Sequence, residues 1–144
     1  MPFKIIHVIR NPFDNITTRY IKEASFSLGR KFTKEDYDPN SFEKFISGFR
    51  IDADTINRIK KSGDYSILDI QHEEFVKQPD RILSNLLDFL NFDSSDQYIE
   101  ACADIAYDTP NKSRHQIQWT KEQIIEVDGI IQKYDFLKGY SYTS

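Results

Sequence analysis

Apolar residues recur along this chain with two different periods. Residues 4–9, Lys-Ile-Ile-His-Val-Ile, form a short β-branched run with little polar interruption. That pattern reads as a strand buried on both faces, as in a parallel sheet. Arg10-Asn11-Pro12 stops it, with Asn11 suited to capping a helix and Pro12 to its first position. From Phe13 the period changes. Phe13, Ile16, Tyr20 and Ala24 share a helical face, which predicts a helix over about 12–27, ended near Gly29. Residues 29–40 are polar and read as a loop. Ser41 is the expected cap of a second helix carrying Phe42, Phe45, Ile46 and Phe49. Helical character resumes over 54–61 with Ile56 and Ile59, and Ser62-Gly63 ends it. Residues 65–70, with Ile67, Leu68 and Ile70, read as a second strand. Strand, helices, strand is a right-handed crossover, so the two strands are expected to be parallel.

Beyond this unit the pattern is helical. Pro79 opens a helix with a stripe of Leu83, Leu86, Leu87 and Leu90. Ser94 or Ser95 caps another, running through Ile99 and Ala103 to Ile105-Ala106. Asp108-Thr109-Pro110-Asn111 reads as a turn. Thr120 precedes a last helix with Ile124, Val127, Ile131 and Tyr134, and the tail from Phe136 to Tyr140 is apolar enough to dock. The fold class is α/β: a partial parallel sheet covered by helices, with a helix-rich C-terminal part. No repeat and no break calls for a second domain, so residues 1–144 read as one domain. Two strands leave both edges unpaired and bury little, so the sheet reads as part of a larger one. Its open edge implies self-association.

Composition narrows the function classes. The chain has 144 residues, enough for a core without disulfides or metal. No apolar run approaches the roughly 18 residues that span a bilayer, and the start is too short and polar for a secretory signal. Cys102 is the single cysteine, which excludes an internal disulfide framework. The three His are scattered, with neither HExxH nor CxxC, so no metal site is expected. Net charge is −4, yet residues 1–34 carry seven Lys/Arg against Asp14 and Glu23. A basic N-terminal part on an acidic body points to a local anionic ligand more than to nucleic acid. A solvated basic face accounts for the same charge.

Arg10-Asn11-Pro12-Phe13-Asp14-Asn15-Ile16-Thr17-Thr18 sits where a strand runs into a helix. Ligands of open α/β sheets bind at the C-terminal ends of strands. Arg10 emerges there, helix amides near Phe13–Asn15 favour anions, and Thr18 offers a hydroxyl further along the helix. Together these make a phosphate grip. A structural role also fits: Arg10 paired with Asp14 or another carboxylate, and Asn-Pro starting a helix.

This segment resembles the 3′-phosphate-binding segment of sulfotransferases that use 3′-phosphoadenosine 5′-phosphosulfate (PAPS). The likeness continues through Leu68-Asp69-Ile70-Gln71-His72-Glu73-Glu74-Phe75, Pro79 and the helix ending Asp88-Phe89-Leu90. It extends to Lys112-Ser113-Arg114-His115 with Trp119, and to the closing Tyr134-x-Phe136-Leu137-Lys138-Gly139-Tyr140. The resemblance implies a P-loop-type sheet. It also implies that Arg10 and Thr18 hold the 3′-phosphate. His72 stands where many members place a Tyr near the adenine. Lys112, Ser113 and Arg114 fall in a basic segment that reaches the cofactor phosphate, though here it is not the Arg-Lys-Gly triplet of cytosolic members. Read without the resemblance, His72-Glu73-Glu74 is a helix start with acids in its first turn, and Lys112–Arg114 an exposed linker.

The resemblance implies sulfuryl transfer from PAPS to a hydroxyl or amine, with a small molecule or glycan as acceptor and no metal. No Lys-Ser/Thr donor loop occurs in the sequence, and His7, inside a strand, reads as a sheet residue rather than a base. No catalytic residue is therefore assigned. The chain is expected to be a C-terminal portion of such an enzyme, with doubtful activity alone. The alternatives are a non-catalytic nucleotide-binding or interaction protein built on the same fold, and a P-loop kinase-like domain in which Arg10 serves another phosphate. The chain itself favours the cytoplasm, whereas an upstream anchor would place it in the Golgi.

Overall fold

A computed structural model describes residues 3–106 and 109–144. Asp108, assigned above to a turn, lies outside the described residues. The chain clusters into two compact units. Unit 1 comprises Met1–Arg10 and Ile59–Pro110, and unit 2 comprises Asn11–Arg58 and Asn111–Ser144.

Unit 1 holds the sheet. Strands β1 (Lys4–Ile9) and β2 (Ser66–Gln71) pair in parallel, from Lys4 opposite Ser66 to Ile9 opposite Gln71. The crossover expectation is thus met. Helices α3 (His72–Lys77), α4 (Pro79–Leu90) and α5 (Asp96–Ala103) follow in this unit. Its buried apolar residues are Ile9, Ile70, Val76 and Ile82. The expectation that β1 is buried on both faces is not met. Lys4, Ile6 and Val8 share a face, and Ile6 and Val8 are 40% and 59% exposed. In a two-stranded sheet that part of the face is left largely open. Ser95 caps α5, accepting from the Tyr98 amide at 3.2 Å. The helix ends at Ala103, short of the predicted Ala106, because Ile105 and Ala106 turn back with i→i+3 bonds to Cys102 and Ala103.

Unit 2 holds most of the core. Helix α1 (Pro12–Leu28) starts at the Asn11 cap and ends at Gly29, whose φ of 64° is the left-handed value a helix-ending glycine adopts without strain. Helix α2 (Pro39–Ser62) is one element of 24 residues, the last four of them in unit 1, where the sequence predicts two helices. Phe42, Ile46, Phe49 and Ala53 carry one buried stripe through the expected gap, and no proline interrupts it, so propagation costs little there. Its start is capped by Asp38 rather than Ser41, the carboxylate accepting from the Asn40 and Ser41 amides at 3.1 and 3.2 Å. Helix α6 (Lys121–Lys133) begins with a reciprocal Thr120–Gln123 capping box. Phe13, Tyr20, Phe42 and Trp119 pack edge to face with ring centroids 4.8–5.2 Å apart, so rings supply much of the core volume. Tyr134 and Leu137 bury the tail's approach, as its apolar character predicts.

Candidate functional site

In unit 1 the two strands end together. Ile9 is the last residue of β1 and pairs with Gln71, the last of β2. Arg10 and His72 therefore both emerge at the C-terminal edge of the sheet, the edge at which α/β folds bind ligands. Both are half-buried, and His72 Nδ1 is buried with no hydrogen-bond partner. His72 is also the first residue of α3, with Glu73 and Glu74 in its first turn, so the plain helix-start reading holds as well. Two residue pairs further back, His7 lies opposite Asp69, with Nδ1 3.0 Å from a carboxylate oxygen that Lys60 also binds. Burial pushes the His7 imidazole below its usual range, and this outweighs the raising effect of Asp69. His7 is a sheet residue, as its place in the strand predicts.

In unit 2 the first turn of α1 is capped from within the chain. Asn11 Oδ1 accepts from the Phe13 amide at 3.0 Å, and the Asn15 amide bonds the Asn11 carbonyl at 3.0 Å. Of the helix amides expected to attract an anion, those of Phe13 and Asn15 are thus engaged by the chain itself. Asp14, 3% exposed, pairs with Arg114. Arg114 Nη2 lies 3.0 Å from Asp14 Oδ2, and the Arg114 amide donates to Asp14 Oδ1 at 2.9 Å. The remaining guanidinium bonds run to the tail carbonyls of Ser141, Tyr142 and Ser144, at 3.0, 3.0 and 2.8 Å. Lys112–Arg114 is therefore no simple exposed linker. Lys112 is exposed, but Ser113 and Arg114 are each 2% exposed, on a 3-10 turn spanning Ser113–Gln116.

This turn brings two of the sequence-predicted residues together. Thr18 Oγ1 and Ser113 Oγ are 2.8 Å apart, and Ser113 donates to the Asp14 carbonyl at 2.9 Å. Sequence reasoning missed Asp14 and the tail as the organisers of this cluster. An ion pair spanning 100 residues leaves no local pattern to read. Asn11 was legible as a cap, and its amide has a second use, donating to the Ser141 carbonyl at 2.9 Å and to Ser144 Oγ at 3.1 Å.

A groove of about 720 Å3 runs between α4 and α5 in unit 1. Asp80, Asp96, Glu100 and Asp104 line it, with Arg81 and Ser84. Four carboxylates disfavour a phosphate there, and none of the predicted residues lines it. Among the described residues, no cluster of His, Cys, Asp or Glu could hold a metal ion, and no helix is long and apolar enough to cross a membrane.

A family model described as "Sulfotransferase family" matches residues 3–96. The chain belongs to the sulfotransferase family. No curated protein and no solved structure matches it. The sulfotransferase match runs from the residue before β1 to the first residue of α5, so it covers the strand-to-helix segment, the crossover and β2. Arg10, Thr18 and His72 fall inside it, and Lys112, Ser113 and Arg114 lie beyond its end. The family places the chain among transferases of sulfuryl groups.

Proposed function

We propose that this chain binds PAPS as sulfuryl donor and anchors it by its 3′-phosphate. The sulfotransferase match over the strand-to-helix segment carries this reading, because that segment delivers Arg10 at a strand end and a half-buried Thr18 hydroxyl on α1. Arg10 would supply a planar fork for two parallel hydrogen bonds to phosphate, and Thr18 a neutral one. His72, with an unpartnered buried ring nitrogen beside the strand end, suits the adenine side. The chemistry of these side chains suits an anion: Arg10 would offer a guanidinium, Thr18 a hydroxyl and Lys112 an exposed ammonium. Arg114 does not fit direct contact as it stands, since its guanidinium is engaged with Asp14 and the tail. Its role in this reading is to hold Ser113 and α1 in place.

When bound, PAPS would supply the sulfuryl group that passes to a hydroxyl or amine of a small-molecule or glycan acceptor. The residues named here bind and orient the donor; none of them is assigned to the chemistry. Calorimetric titration with adenosine 3′,5′-bisphosphate and with adenosine 5′-monophosphate tests the reading. A phosphate bonded by a charged fork is worth about 1.5–3 kcal/mol, so Arg10→Ala should weaken the bisphosphate about tenfold or more. Affinity for the monophosphate should not move. Equal losses for both nucleotides would assign Arg10 to the fold alone. Bisphosphate binding with no sulfate transfer to any acceptor would identify a non-catalytic relative.

A further inference from the structure

Resting on that reading, we propose that Ser113 is a positioning residue that acts on the 3′-phosphate only through Thr18, the two hydroxyls working as one donor. Ser113 is 2% exposed, whereas Thr18 is half-buried, so a ligand reaches the second and not the first. Their oxygens are 2.8 Å apart, and Ser113 also lies 2.9 Å from the Asp14 carbonyl, to which it donates. A serine hydroxyl carries one proton. While Ser113 gives it to Asp14, the Thr18–Ser113 bond must be donated by Thr18. Thr18 then turns its proton inward and its lone pairs outward, an orientation that a phosphate repels.

Donation to a phosphate needs this short chain to reverse. Ser113 swings its proton from the Asp14 carbonyl to Thr18, and the Thr18 proton swings out to the phosphate oxygen. No proton is transferred; two hydroxyls rotate. The Asp14 carbonyl keeps the i+4 amide bond of an α-helix, so the reversal leaves no acceptor stranded. In the reversed state Ser113 polarises Thr18 and strengthens it as a donor. The reversal needs Ser113 held at hydrogen-bond distance from both oxygens. The bonds of the neighbouring Arg114 to both Asp14 carboxylate oxygens do this. The switch therefore belongs to the ligand's 3′-phosphate and not to the nucleotide as a whole.

A double-mutant cycle tests this, with adenosine 3′,5′-bisphosphate and adenosine 5′-monophosphate titrated calorimetrically into the full chain. Thr18→Ala should weaken the bisphosphate about fivefold, and Ser113→Ala by about two- to threefold. The double variant should be no weaker than Thr18→Ala alone, because Ser113 has nothing to act through once Thr18 is gone. Monophosphate affinity should stay level throughout. If Ser113→Ala does not fold, Ser113→Cys keeps the bulk, donates poorly and should give the same result. Losses that multiply in the double variant would mean that Ser113 touches the ligand itself. Monophosphate losses matching those for the bisphosphate would mean a purely structural role, and an unchanged Ser113 variant would mean none. Each of these overturns the proposal and leaves the 3′-phosphate reading standing. A wild-type chain that binds neither nucleotide, or binds both equally well, overturns that reading and the proposal together.

Discussion

Asp14 and Arg114 form a nearly water-free ion pair, 3.0 Å between Nη2 and Oδ2, with both side chains at most 4% exposed. It ties the first turn of α1 to the turn that carries Ser113. A buried pair of this kind contributes little net stability against a well-packed apolar replacement, but removing one partner leaves the other charged and dry.

Asp14→Ala should therefore destabilise unit 2 by about 3–5 kcal/mol, measured as a fall in the urea midpoint. Arg114→Lys should also be destabilising, because one ammonium cannot reach Asp14 and three tail carbonyls at once. Asp14→Ala combined with Arg114→Met should be less damaging than Asp14→Ala alone. A double variant that loses the sum of both single losses would show that the two side chains act independently.

The tail is the other half of this clamp. Arg114 and Asn11 grip the carbonyls of Ser141, Tyr142 and Ser144, and the Tyr142 ring packs on Phe13 at 5.2 Å. Ending the chain at Tyr140 should cost about 1–3 kcal/mol, the scale of leaving buried donors unmatched. Hydrogen exchange should quicken at Ser113–Gln116 and in the first turn of α1. Unchanged protection there would show the tail to be a passenger.

The sheet carries a pH dependence of its own. His7 is neutral over more of the pH range when folded than when unfolded, since burial lowers it below 6.5. Below the unfolded value the unfolded chain binds a proton that the folded chain resists. Stability is thus full above about pH 6.5 and falls as pH drops towards the folded value. Asp69, and Lys60 through it, face the same ring. His7→Gln should flatten the urea midpoint between pH 7 and 5, relative to wild type. A wild-type midpoint that rises over this interval would mean that the Asp69 attraction outweighs burial.

Strand, helix and crossover were legible because each rests on local periodicity and punctuation. Asn11-Pro12 and Gly29 bracket α1, and β-branched residues mark β1 and β2. The joined α2 was not, because a polar stretch around Asp52–Asp54 looks like a break until the buried stripe from Phe49 to Ala53 is known. The candidate site was half legible. Arg10 and Thr18 sit in a contiguous motif, whereas the partner of Thr18 lies 95 residues away and that of Asp14 100 away. Tertiary pairing of this kind has no period in the sequence. The burial of Ser113 and Arg114, beside an exposed Lys112, was hidden for the same reason: a basic segment looks solvated until its acceptors appear.

The open face of β1 gives the last prediction. Ile6 and Val8 stand 40% and 59% exposed on a strand that follows directly on an exposed Phe3. β1 pairs on one side with β2, and among the described residues no strand pairs with its other edge. Exposed apolar side chains beside an unpaired edge are what a second strand seeks. The chain should associate as concentration rises, measurable by sedimentation velocity. Val8→Lys places a charge on that face without removing a buried contact and should shift the distribution towards monomer. It should cost little in folding, since Val8 is already mostly in water. The sheet register should persist, since the same β1–β2 backbone pairs remain. Wild type that stays monomeric across the accessible concentrations would mean the edge is not used. Association that Val8→Lys leaves untouched would place the contact elsewhere on the surface.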